Sequence, residues 1–137
     1  MQVGRLHGKA MGLVVTCNDA VVYDCQEVPN DVLELHIESS LPLEIRFETS
    51  GKKPDDTLVD DHGNILQDKF LLVDSMAIDD IWIKKWMLES RIFKFVSHSG
   101  HRSTSNYFGA NGTGTFSIPH KDILDFWLDT LVVDQQD

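Results

Sequence analysis

Two stretches decide the fold class: residues 32–38 read Val-Leu-Glu-Leu-His-Ile-Glu, and residues 43–48 read Leu-Glu-Ile-Arg-Phe-Glu. In both, apolar residues alternate with charged or polar ones. Successive side chains on a strand point to opposite faces, so this alternation places all the apolar side chains on one face. The pattern predicts antiparallel strands with one face against a core and the other in water.

Shorter segments of the same character lie on both sides of these two. Residues 12–16 and 21–24 flank Asn18-Asp19, a pair typical of a tight hairpin turn. Further strands are predicted at 57–59, 70–74, 76–78, 81–86, 92–96 and 114–118. About nine short strands separated by turn residues predict one all-β domain over residues 1–137, an antiparallel two-layer sandwich of jelly-roll type.

The C-terminal segment fits two patterns. Leu124, Trp127, Leu128 and Leu131 have the spacing of the apolar face of a helix. Residues 126–133 also fit a final strand whose alternate residues face one way. The helix is the slightly better match, so the sandwich is expected to include at most one short C-terminal helix.

The charge balance limits the classes of partner. Twelve Lys and Arg against 22 Asp and Glu give a net charge of −10, and the basic residues are scattered. Nucleic-acid-binding proteins gain affinity from Lys and Arg that displace counterions, and a negative protein is repelled by anionic membranes. No apolar run approaches the ~20 residues that span a bilayer, and no secretory signal follows the N-terminus. We therefore expect neither nucleic acid nor a membrane as partner, and no export.

The two cysteines, Cys17 and Cys25, are expected to be free. Across the predicted hairpin their offset along the strands is about 13 Å at ~3.3 Å per residue. A disulfide spans no more than ~7 Å between Cα atoms. Two buried thiols are the simplest interpretation.

An acidic loop is the first candidate site. Asp55, Asp56 and Asp60 belong to a stretch of 14 residues with six oxygen-bearing side chains, the ligand type that calcium prefers. The spacing does not match an EF-hand, since His62 stands where an oxygen ligand is required and no distal Glu follows. Two interpretations stay open: a calcium-binding loop, or a series of polar turns, which is the commoner use of such residues. No other cofactor is expected.

The region from residue 97 to residue 114 is rich in Ser, His and Gly but has no catalytic signature. His98 and His101 have no neighbouring Cys to complete a transition-metal site. The serines form no Gly-x-Ser-x-Gly elbow. The glycine-rich run at 109–114 lacks the Lys-Ser/Thr ending of a phosphate loop and leads into a strand pattern. We therefore expect a protein that is not an enzyme.

Aromatic residues give the positive indication of binding. If residues 81–86, Ile-Trp-Ile-Lys-Lys-Trp, form a strand, Trp82 and Trp86 lie on one face and the isoleucines on the other. Exposed Trp rings stack on sugars or anchor protein interfaces; the alternative is that the second sheet covers them. Together with Tyr107 they are the predicted binding residues.

Several segments between residues 40 and 130 carry a resemblance. They include Leu-Glu-Ile-Arg-Phe at 43–47, Gly-Lys at 51–52, Asp-Lys-Phe at 68–70, Asn-Tyr-Phe-Gly at 106–109 and Gly-Thr-Gly-Thr-Phe at 112–116. With them the chain resembles a class of small β-sandwich proteins encoded by tailed phages, notably those of marine cyanobacteria. The wider architecture is similar to that of carbohydrate-binding modules. The shared residues belong to turns and strands, so the resemblance implies fold and phage origin.

The resemblance and the missing catalytic signatures together predict a non-catalytic accessory component of a phage virion. Such a protein would decorate the capsid or attach to the tail, and it would be located in the virion or the host cytoplasm. A homo-oligomer is expected if it decorates a lattice. Two rival functions are a carbohydrate-binding module acting through Trp82, Trp86 and Tyr107, and a phage protein that binds a host protein. The expected partner is therefore a protein or a glycan.

Overall fold

The computed structural model of the chain describes residues 1–38, 42–53, 56–78 and 81–118. The C-terminal segment predicted as helix or strand lies outside these residues. The described part holds thirteen strands and one helix. The strands are β1 (Gln2–Gly4), β2 (Gly12–Cys17), β3 (Ala20–Cys25), β4 (Leu43–Ser50), β5 (Thr57–Val59), β6 (Ile65–Asp68), β7 (Phe70–Leu72), β8 (Ala77–Ile78), β9 (Ile81–Trp82), β10 (Lys94–Ser97), β11 (Arg102–Ser103), β12 (Tyr107–Phe108) and β13 (Gly112–Ile118), and the helix is α1 (Lys85–Ser90).

Two antiparallel sheets form the layers. One has six strands in the order β11-β10-β13-β4-β2-β3, and the other has three in the order β1-β7-β12. The strand pairs β5-β6 and β8-β9 form two further antiparallel hairpins. The predicted all-β, two-layer antiparallel sandwich is confirmed.

The first predicted hairpin is also confirmed. Asn18 and Asp19 adopt positive φ angles of 49° and 68°, the backbone of a two-residue turn whose twist matches that of the strands. β2 and β3 pair from Leu13↔Cys25 to Cys17↔Ala20. Because this register sets the two cysteines at opposite ends of the hairpin, both thiols are free; Cys17 is buried and Cys25 half-buried.

β4 is central to the larger sheet, as its alternation predicts. It pairs with β13 on one side and β2 on the other. Ile45, Phe47 and Thr49 are buried against the core, and the residues between them face outward.

Aromatic side chains join the two layers. Phe108 of β12 is fully buried, and its ring stacks on that of Phe95 with centroids 5.2 Å apart. It also lies 5.7 Å from the ring of Phe47 and 5.6 Å from that of Phe93. Such contacts between aromatic rings add to the free energy of burial. The centre of the sandwich therefore lies where the Phe108 ring of β12 packs against the Phe47 ring of β4 and the Phe95 ring of β10.

Gly114 of β13 lets the Phe108 ring approach the larger sheet. A Cβ atom at this position would lie 2.9 Å from Cζ of Phe108, closer than two carbon atoms pack. We expect Gly114→Val to lower the free energy of unfolding by about 1–3 kcal/mol, because the added methyl groups overpack the core. Urea unfolding followed by circular dichroism measures it.

Ser117→Val is the matched control, because Ser117 is an exposed residue of the same strand. It should change the free energy of unfolding by no more than about 0.5 kcal/mol. Equal effects of the two substitutions would contradict the close contact at Gly114.

Candidate functional site

A cleft of about 500 Å³, lined mainly by apolar side chains, lies against the larger sheet. Ile45, Phe47 and Phe116 of the larger sheet form its floor, and the segments 32–37 and 73–78 form its walls. Trp82 lines it as well, while its side chain is 69% exposed. The ring of Trp82 therefore stands at the mouth of the cleft.

One wall, residues 32–37, belongs to the segment 32–38, which was predicted to be a strand. That prediction is wrong: beyond a single bridge between Gln2 and Val32, the segment is irregular. Leu33 is nevertheless buried and Leu35 half-buried, while Glu34 is exposed. Period-two alternation indicates that one side of an extended segment is buried. This segment meets that condition without continuing as a strand beyond its contact with β1, where Gln2 bridges to Val32 and Met1 hydrogen-bonds to Leu33.

The other wall follows β7. Val73 is buried, and Met76 and Ile78 are half-buried. β8 then pairs with β9 through Ala77↔Trp82, which sets the Trp82 ring beside the cleft.

Trp86 does not share a strand face with Trp82, and the prediction that it does is wrong. Residues 85–90 form α1, whose Met87 and Leu88 are buried. Ile83 and Met87, four residues apart, are both buried, which is the spacing of a helix face, and the adjacent Leu88 breaks the alternation of a strand. Trp86 is half-buried, and the Arg91 guanidinium lies 5.6 Å from its ring centroid.

Tyr107 belongs to a separate, polar part of the molecule. Its ring stacks on that of Phe70 with centroids 4.9 Å apart, and its hydroxyl donates to the Asp68 carboxylate. Burial, together with the hydrogen bond to Asp68, raises the pKa of the Tyr107 phenol. Of the three predicted binding residues, Trp82 alone lines the cleft.

Tyr107 is part of a charged network that is largely withdrawn from water. The Lys52 ammonium group pairs with the Asp68 carboxylate, and their side chains are 12% and 8% exposed. The same ammonium donates to the Lys69 carbonyl at 3.0 Å and to the Gly109 carbonyl. The network therefore ties the loop after β4 to β6 and to the residues that follow β12.

The state of Asp68 follows from these contacts. Burial alone raises the pKa of its carboxyl, but hydrogen bonds from Lys52, Thr57 and Tyr107 outweigh burial and hold that pKa below its usual range. Thr57 Oγ1 donates to Asp68 Oδ1 at 2.6 Å. Asp68 is therefore a carboxylate at neutral pH and a structural acceptor.

The residues predicted for calcium have protein partners. Asp55 lies outside the described residues. Asp56 accepts from Lys69 Nζ at 2.9 Å and from the Lys53 N–H at 2.8 Å, and these hydrogen bonds lower its carboxyl pKa. Asp60 accepts from the Asn64 side chain at 3.0 Å and from the N–H groups of Asn64 and His62, both at 2.8 Å, with the same effect on its pKa. The Asp60 contacts are those of a polar turn, and Asp56 forms an ion pair with Lys69.

Histidines and carboxylates are dispersed over the structure. Within residues 1–38, 42–53, 56–78 and 81–118, no three His, Cys, Asp or Glu side chains lie close enough to hold a metal ion. His98 and His101 are exposed, in a loop closed by the hydrogen bond from the Ser97 N–H to the His101 carbonyl at 2.8 Å.

A second apolar surface is the β5-β6 hairpin. Leu58, Val59, Ile65 and Leu66 are 38%, 55%, 64% and 64% exposed. They are two consecutive residues on each strand, at the point where the pairing of β5 and β6 shifts register, as at a β-bulge. The hairpin therefore exposes a group of four aliphatic side chains.

No protein-family model, curated protein or solved structure matches the chain. Within the described ranges, no helix is long and apolar enough to cross a membrane. The cleft and the exposed Trp82 ring beside it are therefore the structural features that bear on function. The residues of the cleft come from six separate parts of the chain: Met1, 32–37, 43–47, 73–78, Trp82 and Phe116. The alternation at 32–38 and at 43–48 was the sequence signal of buried sides there.

Proposed function

We propose that this chain is a non-catalytic, protein-binding β-sandwich that serves as an accessory component of a phage virion, on the capsid or the tail. The observation that carries the proposal is the apolar cleft with the exposed ring of Trp82 at its mouth. An exposed apolar side chain beside a concave pocket is a candidate interaction site. A Trp beside a hydrophobic pocket is a typical anchor for a protein partner.

The polar groups of the cleft support binding rather than catalysis. The His36 imidazole lies 3.1 Å from the Glu34 carboxylate, and both side chains are more than three-quarters exposed. Asp74 pairs with the Met1 amino group at 3.1 Å. Burial raises the pKa of the Asp74 carboxyl, and the hydrogen bond from that amino group more than offsets the effect. A carboxylate held in this charged state by an adjacent ammonium group is not poised to donate a proton at neutral pH.

The lining favours a protein over a glycan. Sugar sites combine an aromatic platform with polar side chains that hydrogen-bond the hydroxyl groups. This cleft has polar side chains at Glu34, His36 and Asp74, but its wall of Leu33, Leu35, Met76 and Ile78 is aliphatic. A carbohydrate-binding module remains the second candidate, because the Trp82 ring is accessible for stacking.

The phage part of the proposal rests on the resemblance of short segments. Two of them contain Lys52 and Asp68, which form the charged network, and another contains Tyr107. Shared residues of this kind support a common fold. The acidic surface, with the exposed Trp82 ring, is compatible with attachment to other proteins at a particle surface.

Mass spectrometry of gradient-purified particles from the phage that encodes the chain tests the proposal. We expect its peptides to migrate with the particle peak at a constant ratio to the major capsid protein. Their absence from particles, with the chain found free in infected-cell lysate, would contradict the virion role and favour a host-directed one. Binding on a glycan array that is lost in Trp82→Glu would favour the carbohydrate-binding alternative.

A further inference from the structure

Asn111-Gly112, where β13 begins, is a chemically labile dipeptide whose glycine is required by the packing of the sheet. A Cβ atom at Gly112 would lie 2.4 Å from the Val96 carbonyl oxygen and 2.7 Å from Cα of Ser97, closer than non-bonded atoms pack. Asparagine followed by glycine loses its side-chain amide more readily than asparagine before other residues, because glycine has no Cβ to hinder attack by its own nitrogen. The glycine that the sheet needs therefore exposes Asn111 to deamidation.

The fold engages both groups that this reaction must free. Asn111 Nδ2 donates to the Lys52 carbonyl at 2.8 Å, and the Lys52 N–H donates to Asn111 Oδ1 at 2.9 Å. The Gly112 N–H donates to Thr49 Oγ1 at 3.0 Å, and that hydroxyl donates to the Ala110 carbonyl at 2.7 Å. The Lys52 backbone and the Thr49 hydroxyl thus enclose Asn111-Gly112 in a hydrogen-bond frame.

Burial raises the barrier to the reaction further. Gly112 is buried and Thr49 is 2% exposed. The reaction begins when the Gly112 nitrogen loses its proton, and a negative charge on a buried nitrogen is strongly disfavoured. Closing the ring also draws Asn111 Cγ toward that nitrogen, which breaks the hydrogen bonds to Lys52. The Asn111 carbonyl accepts from the His98 N–H at 2.9 Å, so the backbone at this position is fixed as well.

We propose that Asn111 is a deamidation site that reacts only when the hydrogen-bond frame opens. In the reaction the Gly112 nitrogen bonds to Asn111 Cγ, the Cγ–Nδ2 bond breaks, and Nδ2 leaves as ammonia with the proton of the Gly112 nitrogen. Water then opens the cyclic imide at either of its carbonyls, which leaves an aspartate or an isoaspartate. The inference is independent of the proposed function, because it concerns the covalent stability of the chain.

Deamidation prevents the frame from re-forming. A carboxylate at position 111 places an oxygen where Nδ2 donates, 2.8 Å from the Lys52 carbonyl oxygen, and two oxygen acceptors with no proton between them repel each other. The isoaspartate product also lengthens the backbone where β13 begins to pair with β4. The reaction therefore converts a transient opening into a permanent loss of stability.

Deamidation of the full chain in native buffer and in urea tests the proposal. Peptide mass spectrometry after incubation at mildly alkaline pH locates the change from amide to acid at Asn111. We expect the reaction to be at least about tenfold slower in native buffer than in urea, since its rate follows the population of the open state. A peptide of residues 107–116, too short to fold alone, is the control and should react equally fast in both buffers. Equal rates for the folded and unfolded chain would overturn the proposal.

Substitutions at Thr49 test whether the frame itself protects the site. Thr49→Val replaces the hydroxyl with a methyl group and leaves the Gly112 N–H without its acceptor, whereas the matched control Thr49→Ser retains the hydroxyl. In native buffer Thr49→Val should deamidate at Asn111 at least about tenfold faster than the wild type, and Thr49→Ser should not. Reaction of Thr49→Val at the wild-type rate would overturn the proposal. If Thr49→Val does not fold, hydrogen exchange of the Gly112 amide in the wild type decides, because exchange as fast as in the unfolded chain would mean an open frame.

Asn111→Asp reproduces the charge of the product and tests its effect on the fold. We expect a lower urea midpoint than that of the wild type, because the Lys52 carbonyl loses its donor and faces a carboxylate. Asn30→Asp, at an exposed position, is the matched control and should leave the midpoint unchanged. Equal midpoints for the two variants would contradict the permanent loss of stability.

Discussion

Replacing Phe108 with alanine is expected to lower the free energy of unfolding by about 3–5 kcal/mol. Phe108 is fully buried and contacts the rings of Phe47, Phe93 and Phe95. Its removal leaves a cavity between the two sheets that these rigid rings cannot fill. Since small domains are stable by about 5–15 kcal/mol, this one substitution should remove a large fraction of the stability.

Urea unfolding monitored by circular dichroism measures the effect. Phe108→Leu should cost less, because it retains part of the buried volume, and Val22→Ala on the exposed side of β3 should cost no more than about 0.5 kcal/mol. A loss below about 1 kcal/mol for Phe108→Ala would contradict a core centred on this ring.

Replacing Lys52 with methionine is expected to cost about 3–5 kcal/mol, because it leaves the Asp68 carboxylate buried without its counter-charge. The Lys69 and Gly109 carbonyls lose the same donor. Lys85→Met is the matched control: it breaks the exposed ion pair with Glu89, whose N–O distance is 3.6 Å, and should cost less than about 0.5 kcal/mol. Similar losses for the two variants would contradict the structural role of the network.

The same network predicts a pH dependence. The pKa of Asp68 is lower in the folded chain than its ordinary value, so Asp68 stabilises the fold above that ordinary value, and the contribution is lost as pH falls through the folded pKa. Between about pH 6 and pH 3, a range that includes the ordinary carboxyl pKa, the urea midpoint of the wild type should fall. The urea midpoint of Asp68→Asn should fall less over the same range. Asp56, Asp60 and Asp74 also have lowered pKa values, so part of the dependence should remain.

The sequence predicted the sandwich where local pattern and tertiary packing agree. Alternation at 43–48 identifies β4 because that strand has one face on the core and a neighbour on each side. The same alternation at 32–38 predicted a strand that does not form, since burial of one side does not require a ladder of hydrogen bonds. The alternating segment at 81–86 was too short to distinguish a strand from the start of a helix. Met87 and Leu88, which are buried on the helix, lie beyond that segment.

The candidate site was only partly predictable from the sequence, because most of it is formed by residues that are far apart in the chain. Trp82 was identified because a strand with isoleucines on one face turns its Trp outward, and it is exposed. The cleft depends on the meeting of residues far apart in the chain, such as Leu33, Ile45 and Met76, and no local pattern encodes that meeting. The pairing of Lys52 with Asp68 is hidden from the sequence in the same way.

The most direct test of the proposed function is the amount of the chain in particles when Trp82 is altered. Phages that encode the wild type, Trp82→Glu and Val21→Glu would be purified in parallel, and the chain quantified by mass spectrometry against the major capsid protein. We expect wild type and Val21→Glu to be incorporated equally and Trp82→Glu to be reduced by about tenfold or more, with all three equally folded by circular dichroism. Equal incorporation of all three would contradict binding through the cleft.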